Sequence, residues 1–229
     1  MELYKLSSNI YYSSYEELRD RPSLGYIKGS KFSIAIDAGH SDDQGFEFYN
    51  LLKKEDLPLP TFTVITHWHW DHSFGIHAIN GLAIANKKTN EHLIDFIKSR
   101  SKENDAKFLQ LDSSIALEYK DNKPIVVKKA DIVFEKEIII NNGIEDIRIF
   151  ECISPHCDDA TFVYAPKEKV LFIGDGKSGV FPTWIADKKT SRQLAKEIEK
   201  MDIDYCIGGH WPIESKKELL TFLYNENEG

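Results

Sequence analysis

The chain has 229 residues, of which 41 % are hydrophobic, and these values are typical of a globular protein with a sizeable core. Its formal net charge is −8 and no basic run is longer than a pair, which argues against a nucleic-acid partner and against binding to an anionic membrane surface. The chain does not open with a signal-peptide pattern, and no window approaches about 18 consecutive apolar residues. We therefore expect a cytoplasmic protein that acts on a small molecule; the composition predicts no oligomeric state.

Strand-like and helix-like segments alternate along the chain, and this alternation is typical of an α/β protein. In chain order, the first half is predicted to contain strands at residues 4–12, 24–28 and 32–37, a helix at 47–54, strands at 61–66 and 82–85, and a helix at 89–99. The segment that follows, up to residue 121, has an ambiguous pattern.

From residue 125 the pattern changes to closely spaced strands separated by Gly, Asn, Pro or Lys turns. The second half is predicted to contain strands at residues 125–127, 131–140, 146–153, 161–165, 170–173 and 205–208, with helices at 191–201 and 215–224. No linker-like stretch separates the halves. We therefore expect one domain over residues 1–229, with two αβ halves that meet near residue 125.

A dense group of possible metal ligands occurs in the stretch THWHWDH, residues 66–72, directly after a predicted buried strand. In an extended segment, His67, His69 and Asp71 point to one side, and the two tryptophans between them point to the other. Asp71 is also a good residue to begin a helix, and a turn there could bring His72 back toward the same place. Four ligands within six residues indicate two adjacent metal ions, for which zinc is the first choice and iron or manganese the alternatives.

Three more possible ligands follow predicted strands elsewhere in the chain. His156 lies in ISPHCDDATF, Asp175 in VLFIGDGKSG and His210 in YCIGGHW. A carboxylate at the end of an apolar strand, such as Asp175, has no packing role, and His210 likewise follows a short apolar strand and a glycine pair. Together these residues place ligand types at the strand ends where a site could be built.

These residues resemble the metallo-β-lactamase-fold hydrolases, a superfamily that includes hydroxyacylglutathione hydrolases, lactonases and class B β-lactamases. The resemblance rests on Asp37-Ala38-Gly39, residues 66–72, Gly75, residues 130–175 and Gly208-Gly209-His210. It implies an αββα sandwich with the site at one edge of the paired sheets. It also implies a glyoxalase II-like ligand set, with one metal on His67, His69 and His156, a second on Asp71, His72 and His210, and Asp175 as a bridge.

Several other residues near these motifs have possible roles. GDGKSG, residues 174–179, also matches a dinucleotide-binding pattern, but Val-Phe-Pro-Thr-Trp after it does not open the required helix. The glycines are better explained by a tight turn that directs Asp175 into a cleft. Lys177 in this turn could bind a substrate anion or remain solvated. Asp37 could hydrogen-bond a ligand histidine or form only a turn, and His40 could reach the rim of the site.

All four tryptophans lie close in sequence to candidate ligands. Trp184 and Trp211, with Phe181, are candidates for the wall of a substrate pocket, whereas alternation predicts that Trp68 and Trp70 pack beneath the site. The three cysteines, at positions 152, 157 and 206, are too few and too irregular for a disulfide framework. We expect buried thiols; the alternative for Cys157, which directly follows His156, is a place in or near the site.

This pattern leads to a hypothesis of hydrolysis by a hydroxide held between two metal ions, with Asp71 or Asp175 orienting it and managing its proton. The expected substrate is a small ester, thioester or lactone. Small phosphodiesters and β-lactams are alternative substrates. A single-iron sulfur dioxygenase and a non-catalytic metal-binding protein of the same fold are alternative functions.

Overall fold

The computed structural model describes residues 1–225, in which two β-sheets pack face to face. The first sheet has seven strands that follow one another in space as they do in the chain: β1 (Leu3–Lys5), β2 (Ile10–Ser13), β3 (Gly25–Ile27), β4 (Ile34–Ile36), β5 (Phe62–Val64), β6 (Leu82–Asn86) and β7 (Ile132–Phe134). Strands β1 to β4 are antiparallel, and β4 to β7 are parallel.

The second sheet has six strands in the spatial order β13-β12-β11-β10-β9-β8. They are β8 (Glu137–Asn141), β9 (Asp146–Glu151), β10 (Thr161–Ala165), β11 (Val170–Gly174), β12 (Tyr205–Gly208) and β13 (Glu214–Ser215). Only β11 and β12 form a parallel pair within this sheet.

Helices cover the outer faces of both sheets, and the fold is therefore the predicted αββα sandwich. The α-helices are α1 (Asp42–Lys54), α2 (Trp70–Ser73), α3 (Lys87–Ser99), α4 (Lys102–Phe108), α5 (Ser113–Glu118), α6 (Lys188–Glu199) and α7 (Lys216–Asn225), with short 3-10 turns at Glu17–Arg19 and Phe74–Ala78. Among residues 1–225, no helix is long and apolar enough to cross a membrane.

Alternating apolar side chains of the strands form the core between the two sheets. The buried members are Ile10, Ile27, Ile34, Ile36, Val64, Ile84 and Phe134 from the first sheet and Ile147, Ile149, Val163, Ala165, Val170, Phe172 and Ile207 from the second. Separate apolar clusters lie under the helices on each outer face. The central strands are thus buried on both faces, and every residue of β10 and β11 is buried, whereas the edge strand β8 alternates exposed and half-buried residues.

Two predicted strands are each divided in the structure. Residues 4–12 form the hairpin of β1 and β2, because the Ser7 hydroxyl accepts hydrogen bonds from the backbone N–H groups of Asn9 and Ile10 and closes a turn. Residues 131–140 are divided between β7 and β8, which belong to different sheets. The chain therefore changes sheets at Glu135 and Lys136.

The strand predicted at residues 125–127 is wrong. The Ile125 carbonyl accepts a hydrogen bond from the Arg100 guanidinium, and the Ile125 side chain is buried under the helices that cover the first sheet. The ambiguous segment before it contains α4 and α5. These short helices matter for the site because α5 lies against the 3-10 turn at residues 17–19.

Six of the seven candidate ligands lie beyond the C-terminal ends of parallel strands, and His156 follows the antiparallel strand β9. Asp37 follows β4, the motif at residues 66–72 follows β5, Asp175 follows β11, and His210 lies just after β12. Open sheets of this type bind ligands beyond the C-terminal ends of their strands. The two sheets bring these ends together at one edge of the sandwich.

Candidate metal centre

Three imidazoles form the first group of facing nitrogen atoms. The His67 Nε2 atom lies 3.2 Å from His69 Nδ1, and His156 Nε2 lies 3.2 Å and 2.9 Å from these same two atoms. Nitrogen ligands at about 2.0–2.1 Å from a tetrahedral zinc ion would be separated by roughly 3.3 Å. The spacing of the three nitrogens therefore fits one such ion.

Two carboxylates and two imidazoles form the second group. Asp71 Oδ2 lies 2.9 Å from His210 Nε2 and 3.1 Å from His72 Nε2. Asp175 reaches the same imidazoles, with Oδ1 3.4 Å from His72 Nε2 and Oδ2 3.6 Å from His210 Nε2. The four donor atoms lie within 4.8 Å of one another.

Asp175 also faces the first group, because its Oδ2 atom lies 3.9 Å from His156 Nε2. Its Oδ1 atom and His72 Nε2 are buried and have no hydrogen-bond partner within the described chain. Buried polar atoms without partners are costly unless a further group binds there. These two orphaned atoms, together with the mixture of nitrogen and oxygen donors, fit divalent metal ions next to Asp175.

The local backbone explains why the seven residues form two groups. The extended run of the motif ends at His69, which caps α2, so Asp71 lies in a helical turn next to His72. The prediction that Asp71 points the same way as His67 and His69 is therefore wrong, because helical rotation replaces alternation from Trp70 onward. The turn moves Asp71 into the second group, as the family resemblance implies.

Hydrogen bonds to the second ring nitrogen orient several of these histidines. The Asp37 carboxylate accepts the Nδ1–H of His72 at 2.7 Å and the backbone N–H of Thr66 at 2.7 Å. His156 Nδ1 lies 2.8 Å from the carbonyl oxygen of Gly179. Such contacts fix the ring and leave the other nitrogen facing the candidate metal.

The pKa values of histidines in the two groups differ in the metal-free protein. Burial, and then the positive charge that neighbouring imidazoles can carry, lowers the pKa of His69 to about 4 and that of His67 well below its usual range. Burial opposes the charge on His210 as well, but the Asp175 and Asp71 carboxylates outweigh it and raise its pKa to about 9. His67 and His69 are therefore neutral and ready to bind a cation, whereas His210 holds a proton at neutral pH.

The two carboxylates of the second group remain ionised. Burial acts to raise the pKa of Asp71, but His72 and His210 together lower it well below its usual range. Burial acts in the same direction on Asp175, and His210 and His72 again lower its pKa. Both residues therefore provide charged oxygen donors.

A cavity of about 410 Å³ opens directly onto both groups. It is lined by Glu17, Asp20, His69, Trp70, Asp71, Asp112, Ser114, Asp175, Ser178, Trp184, His210 and Trp211. Trp184 is half exposed and lies parallel to the His156 ring, with ring centroids 6.0 Å apart and an interplanar angle of 3°. The volume is at the lower end of the range for small-molecule sites.

The aromatic wall differs in part from the sequence prediction. Trp184 and Trp211 line the cavity as expected, and Phe181 packs behind them against Trp70 and Trp184. Trp68 packs against the helical cluster, as alternation predicts. Trp70 also lines the cavity, because the helical turn begins at this residue.

Lys177 does not line the cavity. Its Nζ atom lies 2.5 Å from Glu214 Oε2 and stands over the rings of Trp211 at 4.4 Å and Phe222 at 4.3 Å. The side chain is 5 % exposed. Lys177 therefore supports the cavity wall from behind and does not reach a substrate.

Cys157 and His40 also lie outside the cavity. Cys157 lines a separate surface cleft beside Cys152, and burial followed by the Asp159 carboxylate raises the pKa of its thiol. His40 is fully buried, with Nδ1 2.9 Å from the Arg19 carbonyl oxygen. Sequence reasoning did not identify Glu17, Asp20, Asp112 or Ser114, which lie in segments without any recognisable motif.

Comparison with known proteins places this geometry in a family. A model of the metallo-beta-lactamase superfamily matches residues 21–210, which is well over half of the chain. A metallo-beta-lactamase from Pontibacter korlensis has a similar structure, with 19 % identity, coverage of 98 % of this chain and 99 % of that chain, and a TM-score of 0.66. DIM-1 metallo-beta-lactamase has 20 % identity over 98 % of this chain and 96 % of its own, with a TM-score of 0.65.

The structural likeness extends to an enzyme with a different named activity. The stereoselective inverting sec-alkylsulfatase Pisa1 from Pseudomonas sp. has 15 % identity and a TM-score of 0.66, and the match covers 98 % of this chain but 40 % of that chain. At such identities the likeness shows the fold alone. No curated protein matches the chain. The family match, the αββα fold and the paired His/Asp groups agree, and the chain belongs to the metallo-beta-lactamase superfamily.

Proposed function

We propose that the protein is a hydrolase that uses two divalent metal ions, zinc by first choice, to cleave a small ester, thioester or lactone. The observation that carries the proposal is the position of Asp175, which faces both groups of donor atoms at the base of one cavity. His67, His69 and His156 would hold one ion. Asp71, His72 and His210 would hold the other, with Asp175 between them.

When bound, such ions would lower the pKa of a water molecule and polarise the carbonyl group of the substrate. The chain itself would supply proton transfer and positioning. Asp71 and Asp175 line the cavity and stay ionised, so either carboxylate could accept a proton from the attacking water. Water adds to the carbonyl carbon, the C–O or C–S bond breaks, and the leaving group takes up a proton.

The size of the cavity supports a small substrate. Its volume of about 410 Å³ suits a molecule of modest size, and the tryptophans around it would shield the reacting bond from bulk water. Small phosphodiesters and β-lactams of similar size are the alternative substrates.

The second group of donors disfavours the mononuclear alternative. A single-iron sulfur dioxygenase would use one group of ligands, whereas here Asp71, His72, Asp175 and His210 converge separately from the three-histidine group. A second converged group with orphaned buried atoms supports two ions.

Elemental analysis of the purified protein, combined with a substrate panel, tests the proposal. We expect two divalent ions per chain and hydrolysis of at least one thioester, ester or lactone that stops after chelation and returns on adding zinc. One iron per chain with oxygen consumption would favour the dioxygenase. Two ions with no hydrolysis of any panel member, including phosphodiesters and β-lactams, would favour the non-catalytic scaffold.

A further inference from the structure

The mouth of the cavity is acidic even without the candidate metal ligands. Glu17, Asp20 and Asp112 line it, and none of the three belongs to either donor group. Asp20 Oδ1 lies 3.5 Å from His210 Nδ1, which places this carboxylate directly beside the candidate metal centre. A substrate that enters the cavity therefore passes three carboxylates.

The described residues that line the cavity include no lysine or arginine. Lys177, which was a candidate anion-binding residue from the sequence, does not line the cavity and forms an ion pair with Glu214. Once metal ions replace the proton on His210, the described lining thus provides no side-chain cation for a substrate carboxylate or phosphate. An anionic substrate would have to rely on the metal ions alone.

The two arginines next to Asp20 are also engaged elsewhere. Arg19 forms a two-point ion pair with Glu16, at 2.8 Å and 3.2 Å. Arg21 is 2 % exposed and forms a two-point pair with the buried Glu118, at 2.8 Å and 2.9 Å. This second pair joins the 3-10 turn to α5, so the two segments that carry the acidic residues are held in a fixed relation before any ligand arrives.

A buried hydroxyl in the same wall lacks a partner. Ser114 is 7 % exposed and lines the cavity, and its Oγ atom has no hydrogen-bond partner among the described residues. Buried hydroxyls are normally hydrogen-bonded, so a water molecule or a ligand group from outside the chain would complete this one. The nearby carboxylate oxygens are hydrogen-bond acceptors, as is the Ser114 hydroxyl oxygen. A ligand N–H group, which donates hydrogen bonds, is therefore complementary to this part of the cavity.

Tryptophan side chains also line the cavity near these polar groups. Trp184 is 50 % exposed at the cavity, and Trp211 belongs to the same lining. Cations bind both to carboxylates and to the faces of tryptophan rings. Carboxylates, an unpaired hydroxyl and the exposed Trp184 ring form a receptor for a positively charged nitrogen, whereas the Trp211 ring already has Lys177 over it at 4.4 Å.

We propose that the substrate of this enzyme carries an ammonium group, which binds among Glu17, Asp20, Asp112 and Ser114 while the scissile bond lies over the metal centre. This inference rests on the proposed hydrolase function and specifies its substrate class. The ammonium group selects the substrate and orients it, and the hydrolytic step remains addition of water to the carbonyl carbon.

Three thioesters of similar size and different charge test the inference. They are S-[2-(dimethylamino)ethyl] thioacetate, which is cationic at neutral pH, its neutral isostere S-(3-methylbutyl) thioacetate, and anionic S-acetyl-3-mercaptopropionate, with release of the free thiol as the readout. Each kcat/KM is divided by the rate constant for hydrolysis of the same ester by hydroxide, because the ammonium group also makes the thiol a better leaving group. For the zinc-loaded wild type we expect this normalised kcat/KM for the cationic ester to exceed that for the neutral one by about tenfold. An equal or larger value for the neutral or anionic ester would overturn the inference and leave the hydrolase proposal intact.

A double substitution then locates the ammonium site. Glu17→Gln with Asp112→Asn removes two charges while keeping size, and asparagine still caps α5 as Asp112 does. The ratio of cationic to neutral normalised kcat/KM should fall to within about twofold of unity in this variant. Glu103→Gln, an exposed change on α4 outside the cavity lining, should leave the ratio unchanged. An unchanged ratio in the double variant would overturn the assignment.

A binding measurement separates failure of the inference from failure of the hydrolase proposal. If no thioester is cleaved, calorimetric titration with butylammonium and with neutral butan-1-ol still tests the cation site. We expect butylammonium to bind more tightly than butan-1-ol to the wild type, and about tenfold more weakly to the double variant. Equal binding of the two ligands would overturn the inference whatever the activity.

Discussion

Asp37 and His72 are joined by a buried hydrogen bond of 2.7 Å, from Nδ1 of the imidazole to Oδ2 of the carboxylate. Asp37 also accepts the Thr66 backbone N–H, so one carboxylate links the end of β4 to the motif after β5. The histidine is fully buried, and its free Nε2 atom faces Asp71 and Asp175. The position of the second donor group therefore depends on a residue that does not belong to it.

We expect Asp37→Ala to weaken metal binding at the second donor group about 10- to 100-fold, because His72 loses the contact that fixes its ring. Competition with a chromogenic zinc chelator measures this affinity. Asp95→Asn, an exposed change on α3, is the matched control. A zinc affinity equal to that of the wild type would show that Asp37 only forms the turn after β4 and does not position His72.

Removing one imidazole from each donor group should remove one ion at a time. His69→Ala disrupts the three-histidine group, and His210→Ala disrupts the group built on two carboxylates. Each variant should contain one divalent ion per chain where the wild type contains two, as determined by elemental analysis of the folded protein. Two retained ions in either variant would contradict the assignment of that residue as a ligand.

Asp71→Ala should abolish turnover more severely than Lys177→Met. Asp71 lines the cavity and faces His72 and His210, whereas Lys177 is directed to Glu214 behind the wall. Steady-state kinetics on the best panel substrate, normalised to folded protein, compare the two variants. Equal residual activity would count against the role of Asp71.

Lys177→Met should instead reduce stability, by about 3 kcal/mol in the free energy of unfolding. It leaves the Glu214 carboxylate, whose side chain is 19 % exposed, without its partner. Adding Glu214→Met should restore much of the loss, because a buried pair replaced on both sides leaves no unpaired charge. Denaturant unfolding of the wild type, both single variants and the double variant measures the coupling, and additive losses would contradict the pairing.

The affinity of the second donor group for metal should rise with pH up to about 9. The raised pKa of His210, about 9, means that a cation must displace its proton at neutral pH, whereas the lowered pKa of His69, about 4, leaves that ring deprotonated. Calorimetric titration in buffers of different ionisation enthalpy should show more proton release on filling the second group than on filling the first. Equal proton release from the two groups would contradict this difference.

The same shift predicts how the stability of chelator-treated protein depends on pH. The pKa of His210 is raised above its ordinary value of 6.5, so its attraction to Asp71 and Asp175 contributes fully below about pH 6.5. This contribution is lost as the pH rises through about 9. Thermal unfolding between pH 6 and 10 should show the decline in the wild type and a smaller one in His210→Ala.

The seven candidate ligands could be chosen from the sequence because short-range patterns mark them. A dense run of histidines after a β-branched strand, and single polar residues at the ends of apolar strands, are visible without any knowledge of distant contacts. The division of the seven ligands between the two donor groups was harder to predict from local sequence patterns. It depends on the helical turn that begins at Trp70, and element boundaries are the least certain part of a sequence-based prediction.

The sequence by itself determined the α/β class and the residue types of the site, because strand periodicity and ligand chemistry are local properties of the chain, and the family resemblance implied the αββα arrangement. Only the tertiary structure decided what surrounds that site: that Lys177 points away, that Trp70 faces inward, and that Glu17 and Ser114 share one wall. The 3-10 turn and α5 lie almost a hundred residues apart and meet through the buried Arg21–Glu118 pair. No local periodicity encodes such a meeting, because it results from the packing of whole layers.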